Sequence, residues 1–298
     1  MSGFTAVDLS QLEAPDVVES LDYEVILGAM LADLRERDPS FDALVESEPA
    51  YKILEVAAYR ELLLRQRFNE AAQAVMLAYA QGSDLDQIGA NLNVARKLLD
   101  AGDPEAVPPV PPTYESDADF RRRIQLSFEG YSTAGPTGAY IFHALGADAD
   151  VKDASVASPA PGEVVVTVLS RSGDGSADAA LLAAVEATVA SDDVRPLTDQ
   201  VTVQSASILT YAVDATLTTY PGPDATVVIE QAETAVTAYV DEQHKLGRDI
   251  SLSGLYAALH QPGVQRVELA SPTATLTVDS QSAAYCTGIT LSHGGTDE

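Results

Sequence analysis

The chain lacks most of what specialised chemistry leaves in a sequence. Its 298 residues include one cysteine, Cys286, so no internal disulfide can form, and a reducing compartment suits folding and assembly. Tryptophan is absent, and lysine occurs only at Lys52, Lys97, Lys152 and Lys245. No apolar run approaches the ~18 residues of a membrane span. The opening segment, Met1 to Leu12, carries an acid, Asp8, and no basic residue, unlike a secretory signal. Positive charge is short overall, with 17 Lys and Arg against 45 Asp and Glu, for a net charge of −28. A surface this acidic repels phosphate backbones and anionic headgroups, which argues against nucleic-acid or membrane-surface binding. Acid excess with few lysines suits a saline medium, where screening shortens self-repulsion, and equally an ordinary soluble acidic protein.

Signatures of catalysis are missing as well. His143, His244, His260 and His293 stand too far from one another and from Cys286 for zinc-ligand spacing. His143 and His260 sit in comparable helices and read as packing or capping residues. There is no Gly-x-Ser-x-Gly elbow to expose a nucleophile. Gly173, Asp174, Gly175 and Ser176 lack the spacing and the lysine of a phosphate-binding loop. Asp148, Asp150 and Asp153 lack the central glycine and terminal glutamate of a calcium loop, so they read as a solvated acidic turn. Nothing singles out a carboxylate pair for glycoside hydrolysis. The residues therefore point to no catalytic, metal or cofactor site, and to a function of binding.

What is present is a long chain with an ordinary apolar fraction of 46%, enough for a substantial core and two or three subdomains. The first third is helical. Tyr23, Ile26, Leu27, Met30, Leu31 and Leu34 recur at helical spacing until Pro39. A much longer helix is predicted from Pro49 to Gln81, roughly 50 Å at ~1.5 Å per residue, with Gly82 as its C-terminal cap. Ser83 and Asp86 have capping-box spacing for a fresh helix to Leu92. Along the long helix Leu54, Ala57, Glu61, Leu64, Phe68, Ala71, Val75 and Ala78 alternate by three and four, a heptad seam broken only at Glu61. A second apolar flank runs through Ile53, Val56, Leu63 and Ala74. A helix apolar on two sides needs more than one neighbour, either in its own bundle or from other chains. The remaining N-terminal helices are short, which favours other chains.

Leu98 to Thr113, with Pro104, Pro108, Pro109, Pro111 and Pro112, is predicted to be an extended, stiff strut. Ser116 and Asp119 then have capping-box spacing, and Gly135-Pro136 opens a helix through Tyr140, Ile141, Ala144 and Leu145. From Val151 the pattern turns to mixed α and β. Val164 to Leu169 is the continuous apolar run of a strand buried on both faces. Tyr211, Val213, Ala215 and Leu217 alternate like a half-buried strand. Pro221 to Pro223 turns the chain into a second long helix, about Asp224 to Lys245. Helix, strand, Ser-Pro, strand is expected twice, around Ser158-Pro159 and around Ser271-Pro272, with the last strand near Leu276 and Val278. The fold class is thus α+β: a helical region 1–97, a linker 98–113, and two related mixed modules, 114–206 and 207–298.

Several segments resemble the baseplate J-like proteins of contractile-tailed phages. They are Leu12-Glu-Ala-Pro-Asp-Val-Val-Glu, Leu21-Asp-Tyr-Glu, Leu54-Glu-Val-Ala-Ala-Tyr-Arg-Glu-Leu-Leu-Leu-Arg-Gln-Arg, Ala74-Val-Met-Leu-Ala-Tyr-Ala and Gly82-Ser-Asp-Leu-Asp-Gln-Ile-Gly-Ala. Arg121-Arg-Arg-Ile, Ala134-Gly-Pro-Thr-Gly-Ala-Tyr, Val156-Ala-Ser-Pro and Val194-Arg-Pro-Leu-Thr-Asp continue the likeness in order along the chain. The resemblance implies a non-catalytic virion protein of the tail baseplate, assembled in the host cytoplasm. It implies wedges in which a second copy and an I-like wedge protein join through a helical bundle, and contact with a sheath-initiator or hub-proximal baseplate protein. It also implies a ring closed through the C-terminal parts. Combined with the seam, it makes Leu54, Ala57, Glu61, Leu64, Phe68, Ala71 and Val75 the expected partner interface, with Glu61 meeting an arginine of a neighbour. A wedge protein of a tailocin or other injection system is the alternative, and a tail-associated cell-wall hydrolase a more distant one.

Overall fold

The computed structural model describes residues 9, 12–13, 21–132, 134–222 and 224–298. Residues 14–19 of the first resembling segment, and Pro223 of the expected turn, lie outside the described residues. The described residues belong to two compact units: one of Ala6–Arg96 with Glu115–Ile124, the other of Lys97–Tyr114 with Gln125–Glu298.

The first unit is helical. Helix α1 (Tyr23–Arg37) starts where the Asp22 carboxylate accepts from the amides of Glu24 and Val25, satisfying donors that have no partner inside the helix. Helix α2 (Pro49–Ala74) opens on a proline, whose missing N–H costs nothing in the first turn. The two pack through Ile26, Leu27 and Leu31 of α1 and Ala58 of α2, with Tyr51, Leu54 and Leu62 beside them. Helix α2 therefore ends seven residues before the expected Gln81, at a length of about 39 Å. No glycine or proline stops it. The stop is tertiary: the Arg121 guanidinium donates to the carbonyls of Leu77 (2.7 Å) and Ala80 (2.6 Å), holding residues 75–81 as a turn.

Gly82 opens helix α3 (Gly82–Asn91) instead of capping α2, and its amide donates to Asp117 at 3.1 Å. The expected Ser83–Asp86 box gives way to an ion pair, Arg96 Nε to Asp86 Oδ1 at 2.7 Å. Helix α4 (Asp117–Leu126) is capped as read, with Ser116 Oγ accepting from the Asp119 amide at 3.1 Å. The fully buried ring of Phe120 reaches α3 where Gly89 leaves room, since a Cβ there would stand 2.5 Å from Phe120 Cζ.

The second unit begins with a correction. The proline-rich stretch is a hairpin, not a strut: β1 (Leu98–Asp100) pairs antiparallel with β2 (Thr113–Tyr114), and Asp103 and Val110 exchange two hydrogen bonds of 2.9 Å. Asp100 and Asp103 accept from the amides of Gly102 and Glu105, the Asx turns that bend the chain back.

Two three-stranded sheets follow. The first has order β3-β4-β5, from Val151–Ala157, Glu163–Ser170 and Gln200–Ser205, under α5 (Thr137–Ala147) and α6 (Ala179–Val189). The apolar run of β4 is central and buried, as its composition requires. The second has order β7-β6-β8, from Val264–Ser271, Ser207–Thr219 and Ser282–Thr296, under α7 (Ala225–Gln243) and α8 (Leu252–Leu259). Val213, Ala215 and Leu217 of β6 face that core while Ala212 and Asp214 face solvent.

Each sheet has one antiparallel edge, a central strand and one parallel edge. The order differs. The strand after Ser158-Pro159 is the central β4, whereas the strand after Ser271-Pro272 crosses to the far edge as β8. The predicted strand near Leu276 and Val278 does not form. Leu276 makes only an isolated bridge to Ile250, and β8 begins at Ser282. Between the sheets Leu169, Ala206 and Ala283 form a small shared core, and Asp153 accepts from the Leu246 amide at 3.0 Å.

Candidate partner-binding face on the long helix

Helix α2 spends one side on α1, through Tyr51, Leu54, Ala58 and Leu62. At about 100° per residue, an arc of about 140° whose centre lies about 150° round the helix from Ala58 holds, from Ile53 onward, Ile53, Val56, Ala57, Arg60, Leu63, Leu64, Arg67, Phe68, Ala71 and Ala74. Large apolar side chains on it stand in solvent: Ile53 68% exposed, Val56 63%, Leu64 70%, Phe68 59%, and Val75 just beyond the helix end 76%. Scattered exposed leucines are normal on a protein surface, but a stripe five turns long on one helix face is a candidate docking surface.

The sequence-derived seam divides on this geometry. Leu64, Phe68, Ala71 and Val75 lie on the exposed stripe, with Ala57 half-buried at its border. Leu54 turns toward α1 and joins that helix's own cluster. Glu61 is half-buried and takes an ion pair from Arg65 of the same helix, Nε to Oε1 at 3.0 Å. A heptad repeat in sequence cannot tell which of two apolar flanks an intrachain helix claims. The burial of Ala58 decides it, and moves Ile53 and Val56 from the secondary flank onto the exposed stripe. Arg60 and Arg67 were not singled out by the sequence pattern. The signal available was their seven-residue spacing.

Other segments that carried the family likeness meet in space. Tyr140 donates its hydroxyl to Asp199 Oδ2 at 2.9 Å, joining the Ala134–Tyr140 segment to the Val194–Asp199 segment. Burial, with the Asp199 carboxylate beside it, pushes the Tyr140 phenol far above its ordinary range, so it stays a donor. Gly135, at φ +70, lets Pro196 approach to where a Cβ would be 2.6 Å from its Cγ. These contacts are structural. Two of the four histidines are tied to the backbone, His143 Nε2 at 3.2 Å from Gly130 O and His244 Nδ1 at 2.7 Å from Ala284 O, while His293 Nε2 lies 3.2 Å from Thr219 Oγ1. A surface cavity of about 230 Å³ beside His244 is lined by Val240, Asp241, Tyr285 and Cys286. Among the described residues no group of three or more His, Cys, Asp or Glu side chains is arranged to hold a metal ion. No helix of the described residues is long and apolar enough to cross a membrane.

Comparison with known proteins places this geometry in context. The Baseplate J-like N-terminal domain matches residues 46–103, the Baseplate J-like central domain residues 132–205, and the Baseplate J-like protein C-terminal domain residues 211–292. The chain is 50% identical over 299 residues to baseplate protein J of Escherichia phage P2, covering 98% of this chain and 99% of that protein. It also has a partial likeness to a chain in the cryo-EM structure of the anti-feeding prophage baseplate, six-fold symmetrised. That likeness has a TM-score of 0.42 and 12% identity, and covers 60% of this chain and 44% of that one.

Proposed function

Because the chain belongs to the baseplate J-like family, we propose that it is a structural component of a contractile phage-tail baseplate, built into the wedge. Its place is the virion, with assembly in the host cytoplasm. The partners are a second copy of itself, an I-like wedge protein and a hub-proximal baseplate protein. The observation that carries the wedge reading is the exposed stripe of α2: Ile53, Leu64, Phe68 and Val75 are left uncovered by the other described helices and spaced to meet another helix.

A second surface supports contact between copies. Strand β8 is the outer edge of its sheet beyond Ala284, its first residues being covered by His244, Leu246 and Gly247, and from Ser282 to Thr296 it has no Asp, Glu, Lys or Arg. Edge strands are ordinarily blunted by charge or proline, so a long uncharged one is suited to pairing with another chain. The test of the wedge reading is co-expression with the I-like protein. Leu64→Asp, at a solvent-exposed position, leaves the thermal unfolding of the isolated chain within about 0.5 kcal/mol of the parent while abolishing co-purification. Undiminished co-purification of the variant would remove α2 from the wedge interface.

A further inference from the structure

The exposed stripe of α2 has two polar members, Arg60 and Arg67, and they are its centre line. They are one heptad apart, about 10 Å along the axis. Both are exposed, and neither has an ion-pair partner among the described residues. Of the carboxylates of α2, Glu55 pairs with Lys52 and Glu61 with Arg65, while Glu70 accepts from Gln66 and lies about 90° round the helix from the centre of the stripe. The helix carries four bases and three acids, and the charges on its exposed stripe, Arg60 and Arg67, are both positive in a chain of net charge −28.

This pattern selects the occupant. If two α2 stripes meet in parallel, Arg60 faces Arg60 and Arg67 faces Arg67. If they meet antiparallel about Leu63 and Leu64, Arg60 faces Arg67 twice. Shifting by a heptad again opposes guanidiniums. Other registers press an arginine into apolar side chains, where an unpaired charge is strongly disfavoured. The long-range field adds to this, because two copies of −28 repel each other wherever salt does not screen them.

Resting on the wedge reading above, we infer that Arg60 and Arg67 are the specificity-determining residues of this face. They take a partner helix from a different polypeptide, with an apolar seam and two carboxylates one heptad apart. The apolar members of the stripe supply the buried area, and the arginines reject α2 of a second copy as the sole partner. A bundle with two copies of the chain then needs the acid-bearing helix to hold it together.

The test uses the full chain and two synthetic amphipathic helices of about four heptads, with leucine at every a and d position. They differ at two positions one heptad apart, glutamate in one and lysine in the other. Fluorescence anisotropy is expected to show the glutamate peptide binding roughly tenfold or more tightly. Arg60→Glu/Arg67→Glu is expected to reverse the order. Arg60→Ala/Arg67→Ala, which keeps good helix formers at both positions, is expected to make the two peptides equal. Equal affinities for the parent chain, with both lost in Leu64→Asp, overturn the inference and leave the stripe reading standing. Failure of both peptides to bind, or binding unaffected by Leu64→Asp, removes the stripe reading and the inference together. A homodimer of the parent chain that Leu64→Asp dissolves also overturns it.

Discussion

Glu115 is almost without solvent contact, and its Oε1 accepts from Arg123 Nη1 at 2.7 Å. Arg123 also donates to the Ala95 carbonyl at 2.9 Å, and with Arg96 it flanks the buried Phe120 ring, at 5.9 Å and 4.7 Å from its centroid. Neither charge reaches water freely, so each depends on the other. Removing one partner of a buried pair leaves the other charge stranded, which is far more damaging than the net worth of the pair. Glu115→Gln is expected to destabilise the helical unit by about 3 kcal/mol, read by urea unfolding, and Glu115→Gln/Arg123→Met to recover part of the loss. A single variant within about 0.5 kcal/mol of the parent would mean that water compensates the arginine. In the sequence, Arg121-Arg122-Arg123 was legible only as a landmark of likeness. Arg121 reaches carbonyls more than forty residues earlier in the chain while Arg123 reaches a carboxylate eight residues away, and no local spacing distinguishes those tasks.

Elements were legible where a local rule is strong. Periodicity located α1 and α5; a continuous apolar run identified β4, and alternation identified β6. The misreadings are non-local. The end of α2 is set by Arg121, and β8 is a weakly apolar Ser-, Gly- and Thr-rich stretch whose partner, β6, lies some seventy residues earlier. The exposed stripe was half legible, because the heptad marked the apolar residues but not the side claimed by α1. In the proline-rich segment the prolines suggested stiffness, while the local signal for reversal, Asp100-Ala-Gly102 followed by Asp103, went unread. Gly102 carries that reversal. Its φ is +67, and a Cβ would lie 2.3 Å from the Val110 carbonyl oxygen. Gly102→Ala is therefore expected to open the hairpin, costing about 1–3 kcal/mol locally. Limited proteolysis near the solvent-facing Val107 should accelerate while helical circular dichroism stays unchanged. Unaltered cleavage would show that the flanking pairs β1 and β2 suffice without the turn.

At the scale of the whole chain, net charge alone predicts that an acidic protein gains stability on acidification, as self-repulsion falls toward its pI of about 4.2. Between pH 7 and 5, however, ordinary carboxylates with pKa values near 4 stay mostly ionised, whereas histidines pass through their own ordinary pKa. His244 lies at the joint between the two sheets, its Nδ1 held by the Ala284 carbonyl and its ring edge-on to Tyr285. Burial lowers its pKa, assisted by Lys152. The Ala284 carbonyl and the carboxylates of Asp241 and Asp174 pull the other way without reversing the shift. His143 is lowered too, by burial, against the opposing Gly130 carbonyl. A histidine with a lower pKa when folded binds fewer protons than it does unfolded. Its contribution is therefore intact above the ordinary value of about 6.5 and is lost as pH falls from there toward the folded pKa. The modules should accordingly weaken from pH 7 to 5, opposite to the trend that net charge suggests. His244→Asn, which cannot titrate, is expected to flatten that slope whatever its effect on absolute stability. Urea unfolding at a series of pH values, followed by circular dichroism because the chain has no tryptophan, measures the slope directly. Parallel slopes in parent and variant would transfer the pH dependence from the joint at His244 to His143 on α5.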